Sequence, residues 1–256
     1  MERLDGRRII VTGGASGMGQ MMVEGFARLG AKVVSFDWNA EAGEKAAASV
    51  GAGFIRVDVG DGPQVKEAVG QAAQQMGGID VLAHAAAIDS HCPAEKLSDE
   101  AWEKVFRVNA AGTFHINKAV FPYMRENENG GTILNFTSAS AYTGSGPNGG
   151  QCCYAATKGA VSSWTRAVAA EWMKYNIRVN AIAPCIWTPM YDQTRAILPP
   201  EQVAAMDANL ANICLGGRLG DPETDFLPVM AFLASPGAKF ITGQTICIDG
   251  GVLMVR

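Results

Sequence analysis

Tyr154 and Lys158 stand four residues apart at the start of a long helical pattern, 154–175. Side chains at positions i and i+4 of a helix lie on the same face, about one turn apart. A phenol titrates near ~10, and a neighbouring ammonium group and a helix N-terminus both stabilise its ionised form. A phenol whose pKa is lowered in this way can exchange protons with an alcohol or a ketone. The spacing alone is common, and by itself a packed tyrosine beside a solvated lysine explains it better.

A second feature with chemical potential is the glycine-rich stretch TGGASGMG at positions 12–19. It follows a β-branched run and precedes a helical pattern, so we expect a strand, a tight turn and a helix N-terminus. Gly13 permits the turn, Gly17 lets backbone amides approach an anion, and Gly19 lets the helix pack on the strand. Free amides at a helix N-terminus bind phosphate, so the stretch predicts a site for a dinucleotide pyrophosphate. The residues expected to form it are Gly13, Ser16, Gly17, Met18 and Gly19.

An acidic residue, Asp37, ends the next predicted strand and is followed by Trp38. In a dinucleotide-binding fold, a carboxylate at this place accepts hydrogen bonds from the adenosine ribose and repels a 2′-phosphate. Neither Ser16 nor Trp38 is basic, so nothing adjacent in the chain compensates a 2′-phosphate. We therefore expect Asp37 and Trp38 to bind NAD(H) in preference to NADP(H). The alternative is a structural turn followed by an ordinary surface aspartate.

Short apolar runs alternate with amphipathic helical patterns along nearly the whole chain. The predicted strands cover 8–12, 32–36, 53–57, 79–83, 132–137, 178–182 and 245–249. The predicted helices cover 17–29, 40–50, 61–76, 98–124, 154–175 and 222–234. Runs of this length suit strands that are buried on both faces. The alternation predicts an α/β fold, with a seven-stranded, doubly wound parallel sheet and helices on both faces.

The domain organisation is expected to be simple. No linker, repeat or low-complexity segment divides the chain, which predicts one domain over residues 1–256. Residues 187–220 interrupt the alternation before the last strand. A long insertion at this place is typical of an active-site lid. We therefore expect one domain that binds both the dinucleotide and the substrate, with a lid over 187–220.

Composition excludes several other classes of function. The 256 residues carry a net charge of −4, so no basic surface suited to nucleic acid is expected. No apolar run approaches a membrane span, and no secretory signal precedes Ile9, so we expect a cytoplasmic protein. The six cysteines show no C-x-x-C spacing, which predicts reduced thiols and no metal site.

Taken together, the motifs resemble the short-chain dehydrogenase/reductase family, and the resemblance runs the whole length of the chain. The matching positions are 12–19, Asp58 with Val59, Asn109, Ser138, Tyr154 with Lys158, 179–184, Thr188, 242–244 and 249–251. Each motif is unspecific alone. Their occurrence together, in the family order, makes a chance match a poor explanation.

The resemblance implies a hydride-transfer enzyme with four catalytic residues. By analogy with the family, Ser138 hydrogen-bonds the substrate oxygen and Tyr154 exchanges the proton. Lys158 would bind the nicotinamide ribose and lower the pKa of the tyrosine. Asn109 would hold a water molecule in a proton relay. An oxygen held by two preplaced hydroxyl groups is stabilised as it gains alkoxide character, so the implied roles agree with the chemistry.

The resemblance also implies the remaining contacts to NAD. Asp58 resembles the residue that contacts adenine, and Thr188 resembles the one near the nicotinamide carboxamide. Tyr154 and Lys158 belong to the cofactor site as well as to the catalytic set. Further cofactor contacts are implied for Val59, Ala85, Pro184 and Ile186.

The chain departs from the family pattern at several places. His84-Ala-Ala-Ala replaces Asn-Asn-Ala-Gly after the fourth strand, so we expect weaker local bracing and a structural rather than catalytic His84. Cys185 replaces a glycine near the nicotinamide and is expected to be a small buried residue rather than a redox-sensitive thiol. Cys152 and Cys153 are expected to line the pocket. A longer, glycine-rich segment at 144–151 should reshape the substrate entrance.

The predicted substrate pocket combines catalytic hydroxyl groups with mostly small or apolar neighbours. Its residues are Ser138, Ser140, Gln151, Tyr154, Cys185 and Trp187. Trp187 favours a hydrophobic or cyclic substrate, so we expect a cyclic, aromatic or sugar-like secondary alcohol. Trp164 and Trp172 share a face of the helix after Tyr154, which favours a homo-oligomer, tetramer or dimer, over a monomer that buries them in its core.

The predicted function is an NAD(H)-dependent oxidoreductase that interconverts a secondary alcohol and its ketone. Two alternatives stay open. A 3-oxoacyl thioester reductase would use the same catalytic residues, but Asp37 disfavours its usual NADPH, and no basic patch is evident for a phosphopantetheine arm. A non-catalytic dinucleotide sensor would share the fold, although it has no physical need of the catalytic set.

Overall fold

The strands form one parallel, seven-stranded sheet in the computed structural model, which describes residues 2–143 and 150–254 apart from the side chains of Met190 and Thr194. They are β1 (Arg8–Thr12), β2 (Lys32–Asp37), β3 (Gly53–Arg56), β4 (Val81–His84), β5 (Gly131–Phe136), β6 (Ile177–Pro184) and β7 (Thr245–Ile248). Their order is β3-β2-β1-β4-β5-β6-β7. β2 and β3 are added on one side of β1, whereas β4 and the strands after it are added on the other side. The strand order therefore reverses between β1 and β4. A binding crevice is expected there, at the edge where the strands end, which we call the carboxyl edge.

Helices connect the strands and cover both faces of the sheet. They are α1 (Gly17–Arg28), α2 (Ala40–Ala48), α3 (Gly62–Met76), α4 (Asp99–Phe106), α5 (Gly112–Arg125), α6 (Ser140–Thr143), α7 (Cys152–Trp172), α8 (Pro189–Ile197), α9 (Pro200–Ile213) and α10 (Leu227–Ala234). A π-helical stretch, Arg107–Ala111, joins α4 to α5, and another, Pro222–Phe226, leads into α10. Short 3₁₀ turns occur at Ala94–Lys96, Met173–Tyr175, Leu215–Gly217 and Pro236–Ala238.

The core has two layers because the side chains of each strand alternate between the faces of the sheet. From β1, Ile9 and Val11 pack in the same cluster as Phe26 of α1. Ile10 points to the opposite face and packs with Val65 of α3. All five side chains are completely buried. Apolar packing on both faces therefore holds the strands firmly, and with them the loops at the carboxyl edge.

Four of the helices, α2, α3, α4 and α8, begin with a polar side chain that caps a free backbone amide. Asn39 accepts from the amide of Ala42 at 3.2 Å, and Ser98 accepts from the amide of Ala101 at 3.2 Å. The first helix is different, because Ser16 makes no capping side-chain hydrogen bond at the start of α1. The N-terminal amides of α1 are thus left available for another partner.

The predicted doubly wound parallel sheet is confirmed, with strand limits within two residues of those expected. The region 187–220 resolves into two helices, α8 and α9, each of which begins at a proline. Proline suits the first position of a helix because its missing amide would have no partner there. The glycine-rich segment predicted to reshape the substrate entrance lies, for residues 144–149, outside the described part of the chain.

Three compositional predictions can be set beside the structure. In the described ranges, no helix is both long enough and apolar enough to cross a membrane. Cys92, Cys152, Cys153, Cys185 and Cys214 are free thiols, of which Cys153 and Cys214 are buried. Within the same ranges, no three His, Cys, Asp or Glu side chains come together as a possible metal site.

Candidate active site

The turn between β1 and α1 contains positions where only glycine fits. Gly13 has a φ of +72°, and a Cβ atom there would lie 2.9 Å from the backbone nitrogen of Ala86. A Cβ atom on Gly19 would overlap the carbonyl oxygen of Gly13. Gly17 has a φ of +53°, but a Cβ atom there would meet no described atom within 4 Å. Two glycines therefore close the turn tightly, and the third leaves open space at the amino end of α1.

The amino end of α1 fits the pyrophosphate that the sequence predicts. Ser16 does not cap it, and the first turn of α1, described throughout, carries no acidic residue. The partial positive charge of the helix N-terminus is therefore not neutralised by the protein. With open space at Gly17, the backbone around Ser16, Gly17 and Met18 could receive a dinucleotide phosphate.

Asp37 ends β2 and stands beside the glycine turn. Its Oδ2 accepts from the amide of Ala15 at 3.1 Å, and its Oδ1 accepts from the amide of Asn39 at 2.9 Å. Each oxygen keeps a lone pair for a hydroxyl donor. Trp38 is 70% exposed, and its carbonyl accepts from Nε of Arg56 at 3.2 Å. The cation of Arg56 therefore lies next to the predicted ribose site, although the residues adjacent to Asp37 in the sequence did not predict one there.

Asp58, predicted to contact adenine, is held by a cation that the sequence analysis did not identify. Arg107 donates from Nη1 to Oδ2 of Asp58 at 2.8 Å, and the amide of Gly60 donates to Oδ1 at 2.8 Å. Burial acts to raise the pKa of Asp58, but these hydrogen bonds and the charge of Arg107 outweigh it and lower the pKa. Asp58 therefore stays ionised in a fixed position beyond β3, next to the buried Val59.

Ser138 and Tyr154, separated by a helix and a loop in sequence, meet beyond the end of β5. Their hydroxyl groups are close enough for Ser138 to lower the pKa of Tyr154. Ser140 donates to Oγ of Ser138 twice, from its amide nitrogen at 3.2 Å and from its hydroxyl at 3.0 Å. The structure thus brings together three predicted pocket residues. Two hydroxyl groups in this arrangement could bind a single substrate oxygen.

The pKa of Tyr154 is displaced in the direction opposite to the one expected from the sequence. Burial raises it to about 12, the charge of Asp89 adds to the rise, and the hydrogen bond with Ser138 counteracts them only in part. The ammonium nitrogen of Lys158 lies 5.4 Å from the centroid of the tyrosine ring. In the chain by itself, the loss of hydration of a buried phenolate outweighs the attraction of this cation. The lowering expected from Lys158, the helix N-terminus and the cofactor together stays a prediction for the loaded enzyme.

Lys158 is buried and anchored to the sheet. Its Nζ donates to the carbonyl oxygen of Phe136, the last residue of β5, at 2.7 Å. Burial lowers its pKa to about 8. Its own carbonyl accepts from the hydroxyl groups of Thr137 and Ser162, each at 2.9 Å. An ammonium group has three donors, so this anchoring leaves donors for a second ligand such as a ribose.

Asn109 lies in the π-helical stretch and is buried. Its Oδ1 accepts from the amide of Ile88 at 2.9 Å, and its Nδ2 donates to the carbonyl of Ile88 at 2.9 Å and to Oγ1 of Thr157 at 3.0 Å. Both donors of the carboxamide are therefore used inside the protein. Any part in a water relay falls to the main-chain carbonyl oxygen, which accepts from Oγ1 of Thr113 at 2.6 Å.

Sequence reasoning missed Asp89 and Arg107, two charged residues near the site. The side chain of Asp89 is only 10% exposed and its charge acts on Tyr154. Asp89 follows β4 on the loop at the carboxyl edge, a position at which an acidic residue could have been singled out. Arg107 gave no such signal, because its partner Asp58 comes from a distant part of the chain.

The comparisons with known proteins agree with this geometry. Residues 13–253 match a family model described as Enoyl-(Acyl carrier protein) reductase. Over 258 residues the chain is 37% identical to the 3-oxoacyl-[acyl-carrier-protein] reductase FabG of Thermotoga maritima, covering 98% of this chain and 100% of that protein. The chain belongs to the short-chain dehydrogenase/reductase family. The resemblance found in the sequence motifs is thus confirmed.

Other members of the short-chain dehydrogenase/reductase family are similar to a comparable degree. The 2,5-dichloro-2,5-cyclohexadiene-1,4-diol dehydrogenase LinX of Sphingobium indicum is 36% identical over 254 residues, covering 97% of each chain. The crystal structure of gox2181 has a TM-score of 0.88 and 32% identity, covering 98% of this chain and 96% of the other. One relative is named for an acyl thioester and another for a cyclic diol. Membership of the family therefore does not by itself select the substrate.

His84, where the chain departs from the pattern of the short-chain dehydrogenases/reductases, is a structural link. Thr113 donates to the carbonyl of Asn109, so its Oγ1 accepts from Nε2 of His84, 3.1 Å away. Nδ1 then accepts from the hydroxyl of Thr12 at 2.7 Å, and that oxygen accepts from the amide of Ala86 at 3.2 Å. Burial lowers the pKa of His84 to about 3, which keeps this neutral tautomer. The expected structural histidine is found, whereas the expected loss of bracing is not, because the ring of His84 in β4 links Thr12 of β1 to Thr113 of α5.

The cysteines predicted to line the pocket are not equivalent. Cys153 is fully buried, with Sγ 3.9 Å from the carbonyl oxygen of Trp102. Cys152 is partly buried, and its Sγ is 4.0 Å from the carbonyl oxygen of Cys92. Burial raises the pKa of Cys185 to about 11. A thiol that ionises so poorly is a weak nucleophile, which agrees with the prediction of a packing residue at this position.

Other residues predicted to contact the cofactor lie along the carboxyl edge. Ala85 directly follows β4, and Pro184 is the last residue of β6. Ile186 forms an isolated parallel bridge with Gly220. Thr188 caps the amino end of α8 with its side chain. Pro184, Ile186 and Thr188 therefore mark the path by which the chain leaves β6 and enters the predicted lid.

The two helices of the predicted lid, α8 and α9, are joined by contacts between side chains. Nε1 of Trp187 donates to Oδ1 of Asp192 at 2.8 Å. Arg195 of α8 forms an ion pair with Asp207 of α9, with Nη2 donating to Oδ2 at 3.0 Å. The guanidinium carbon of Arg195 also lies 5.4 Å from the ring centroid of Trp187. Arg195 is thus engaged within the lid and does not stand free to bind a substrate anion.

Proposed function

We propose that this protein is a cytoplasmic enzyme that interconverts a secondary alcohol and its ketone with NAD(H). The observation that carries the proposal is the close approach of the hydroxyl groups of Ser138 and Tyr154, on the same edge of the sheet as the glycine turn. When bound, the dinucleotide supplies or accepts the hydride. The protein has to position the substrate oxygen, stabilise charge on it and move one proton.

The hydroxyl groups of Ser138 and Tyr154 have different roles in the proposed reaction. Ser138 donates a hydrogen bond to the substrate oxygen as negative charge develops on it. Tyr154 has a pKa of about 12 in the chain alone, so its oxygen carries a proton at neutral pH and donates it to the ketone oxygen in reduction. In the direction of oxidation, the proton of Tyr154 first passes to solvent at mildly alkaline pH, and the phenolate oxygen accepts the proton of the alcohol. Lys158 then stabilises the phenolate by its charge, one helical turn away.

Asp37 supports NAD(H) rather than NADP(H) as the cofactor. Its carboxylate stands beside the glycine turn, with lone pairs left for ribose hydroxyl groups. A 2′-phosphate placed there would be repelled by the like charge. Arg56 lies close by but donates to the backbone carbonyl of Trp38, so we expect it to offset this repulsion only when Asp37 is removed.

The experiment that tests the proposal is the absorbance at 340 nm during reaction with NAD+ and, separately, with NADP+. The panel contains cyclic, aryl, sugar, steroid and hydroxyacyl secondary alcohols at mildly alkaline pH. We expect NADH to form from one class of alcohol, and the Tyr154→Phe variant to lose turnover at least about 100-fold while binding NADH normally. Retained turnover in that variant would contradict the proposed proton transfer.

A second candidate, 3-oxoacyl thioester reduction, is favoured by one observation. The 37% identity to FabG extends over the full length of that protein. Acetoacetyl-CoA with NADH and with NADPH therefore belongs in the same assay. Reduction of the thioester in preference to every simple ketone would select this candidate. If NADH binds and no member of either panel reacts, a non-catalytic dinucleotide sensor becomes the better explanation.

We also propose that the enzyme is a homo-oligomer, a dimer or a tetramer, that associates through α5 and α7. The two tryptophans singled out in the sequence are partly used inside the chain: Nε1 of Trp164 donates to Asn117 at 3.0 Å, and Trp172 stacks on Phe121 at 4.7 Å between ring centroids. Phe114, next to Trp164, remains 39% exposed and adds apolar surface. The molar mass measured by light scattering tests this, and a monomer would contradict it.

A further inference from the structure

A buried carboxylate, that of Asp89, lies against the proposed reaction centre and has no part in the chemistry described above. Its side chain is 10% exposed, and its charge raises the pKa of Tyr154. Aspartates buried to this degree are normally paired with a cation. Among the described residues, no lysine or arginine forms an ion pair with Asp89. The exposed ring of His91 approaches it, with Nδ1 3.5 Å from Oδ2.

Two elements of the proposed catalytic site hold Asp89 in place. The preceding residue, Ile88, is bonded through both its amide and its carbonyl to the carboxamide of Asn109, at 2.9 Å each. From the other side, Nε2 of Gln151 donates to Oδ2 of Asp89 at 3.1 Å. Gln151 directly precedes α7, whose first turn carries Tyr154. The carboxylate is therefore fixed relative to both Asn109 and Tyr154.

Among the described residues, the partners of this carboxylate leave part of its hydrogen-bonding capacity unused. Oδ1 of Asp89 accepts from the amide of His91 at 3.1 Å, and Oδ2 accepts from Gln151 at 3.1 Å. An ionised carboxylate can accept about four hydrogen bonds. The hydroxyl group of Ser90, the next residue, is buried and has no hydrogen-bond partner in the described part of the chain. Buried polar groups without partners are costly, so this place is suited to a ligand that both donates and accepts.

We propose that Asp89, with Gln151 and Ser90, binds a second hydroxyl group of the substrate, so that the enzyme acts on diols or polyols. This inference rests on the proposed alcohol–ketone chemistry and adds the class of substrate to it. A hydroxyl group donates to a carboxylate and accepts from an amide or another hydroxyl, which matches the three side chains. A substrate carboxylate in this place would be repelled by Asp89. A simple apolar alcohol would cover the carboxylate without giving it a partner.

The test compares a diol with the alcohol that lacks its second hydroxyl group. We expect kcat/KM for cis-cyclohexane-1,2-diol to exceed that for cyclohexanol at least about 10-fold in the wild-type enzyme. Asp89→Asn keeps the shape but removes the charge, and should lower this ratio about 10- to 100-fold, mainly through the KM of the diol. Ser90→Ala should lower it less, by roughly threefold. An unchanged ratio in both variants would overturn the inference.

Two controls separate hydroxyl recognition from other effects. Asp5→Asn removes an exposed carboxylate, 66% accessible, that precedes β1 at the opposite edge of the sheet, and it should leave the ratio unchanged. An equal change in Asp5→Asn would show that net charge controls the ratio and would overturn the inference. Trans-2-aminocyclohexanol tests for a cation site. A preference for this amine over the diol would likewise overturn the assignment to a hydroxyl group.

Binding measured without turnover separates this inference from the proposed function. In the Tyr154→Phe variant with NADH present, calorimetric titration should show the diol binding about 10-fold more tightly than cyclohexanol. Adding Asp89→Asn to that variant should abolish the difference. A wild-type enzyme that binds NADH but oxidises no alcohol would contradict the proposed function, and the binding difference would still support recognition by Asp89. Equal binding of the two ligands would overturn the inference whatever the turnover.

Discussion

The glycine turn and the substrate side of the carboxyl edge lie close together but are built in different ways. The turn depends on backbone shape, because Gly13 and Gly19 stand where a Cβ atom would strike the main chain. The proposed substrate side depends on side chains from three separate segments: the loop after β4, the π-helical stretch and the residue before α7, which carry Asp89, Asn109 and Gln151. A change in the turn should therefore act through steric exclusion. A change on the substrate side should act through charge and hydrogen bonding.

The two regions also differ in the feature that is energetically unfavourable in each. In the turn, the unfavourable feature is the left-handed backbone conformation, which strains other residues but which glycine adopts freely. On the substrate side, the cost lies in burying polar groups: Lys158 and His84 are both buried with lowered pKa values, of about 8 and about 3. Substitutions that raise the free energy of unfolding are therefore expected to reduce activity more on the proposed substrate side than in the turn.

The largest effect is expected where burial of a charge is greatest, at Lys158. Lys158→Met should reduce turnover at least about 100-fold, because the buried amine is lost. The free energy of unfolding at pH 7 should nevertheless rise by about 1–2 kcal/mol, because no amine has to be desolvated on folding. Denaturant unfolding measures this gain, and Lys174→Met, on the exposed surface, is the matched control.

The pH dependence of this gain has a definite sign. The pKa of Lys158 is about 8 in the folded chain and 10.5 ordinarily, so the unfolded chain holds the proton more tightly between these values. The cost in the wild-type protein is therefore complete below about 8 and disappears as the pH rises through 10.5. The advantage of Lys158→Met should shrink over the same interval. A gain that does not change with pH would contradict its assignment to the buried amine.

A steric change in the glycine turn should have the next largest effect. Gly13→Ala places a Cβ atom 2.9 Å from the nitrogen of Ala86 at a φ of +72°. We expect the Kd for NADH, measured by fluorescence titration, to rise about 10- to 100-fold. Gly51→Ala is the matched control, since Gly51 has a φ of +69° but a Cβ atom there meets nothing within 4 Å. Similar losses in both variants would mean that backbone strain, and not the shape of the turn, controls binding.

A charge change beside the turn should alter selectivity more than affinity. Asp37→Ala removes the carboxylate that repels a 2′-phosphate and leaves Arg56 nearby. The preference for NADH over NADPH, expressed as a ratio of kcat/KM values, should fall at least about 10-fold. Adding Arg56→Gln to the Asp37→Ala variant should then lower kcat/KM for NADPH. A constant ratio in Asp37→Ala would show that the ribose is recognised elsewhere.

The smallest effect of a substitution on activity and stability is expected in the predicted lid. The ion pair of Arg195 with Asp207 is partly exposed, and exposed ion pairs contribute little to stability. Arg195→Gln should change the Tm by less than about 2 °C and kcat/KM by less than about threefold. Asp207→Asn should behave in the same way. A large loss of activity in both variants would mean that this pair sets the closed position of the lid.

The sequence supports the fold and part of the site for physical reasons that can be identified. The alternation of apolar strands with amphipathic helices predicts the parallel sheet, because both patterns depend on residues close together in the chain. The spacing of Tyr154 and Lys158 predicts their common helix face for the same reason. The pKa of Tyr154 could not be predicted in this way, because burial and the charge of Asp89 decide it.

The sequence by itself determined the doubly wound sheet, the glycine turn and the positions of Ser138, Tyr154 and Lys158 in their elements, since local backbone preference and periodicity are enough for each. Only the tertiary structure decided which distant side chains meet. It brought Arg56 beside the residue after Asp37 and Arg107 onto Asp58, and it enclosed Asp89 between two loops. Charges and desolvation act through space, so the electrostatics of this site could not be predicted from neighbours along the chain.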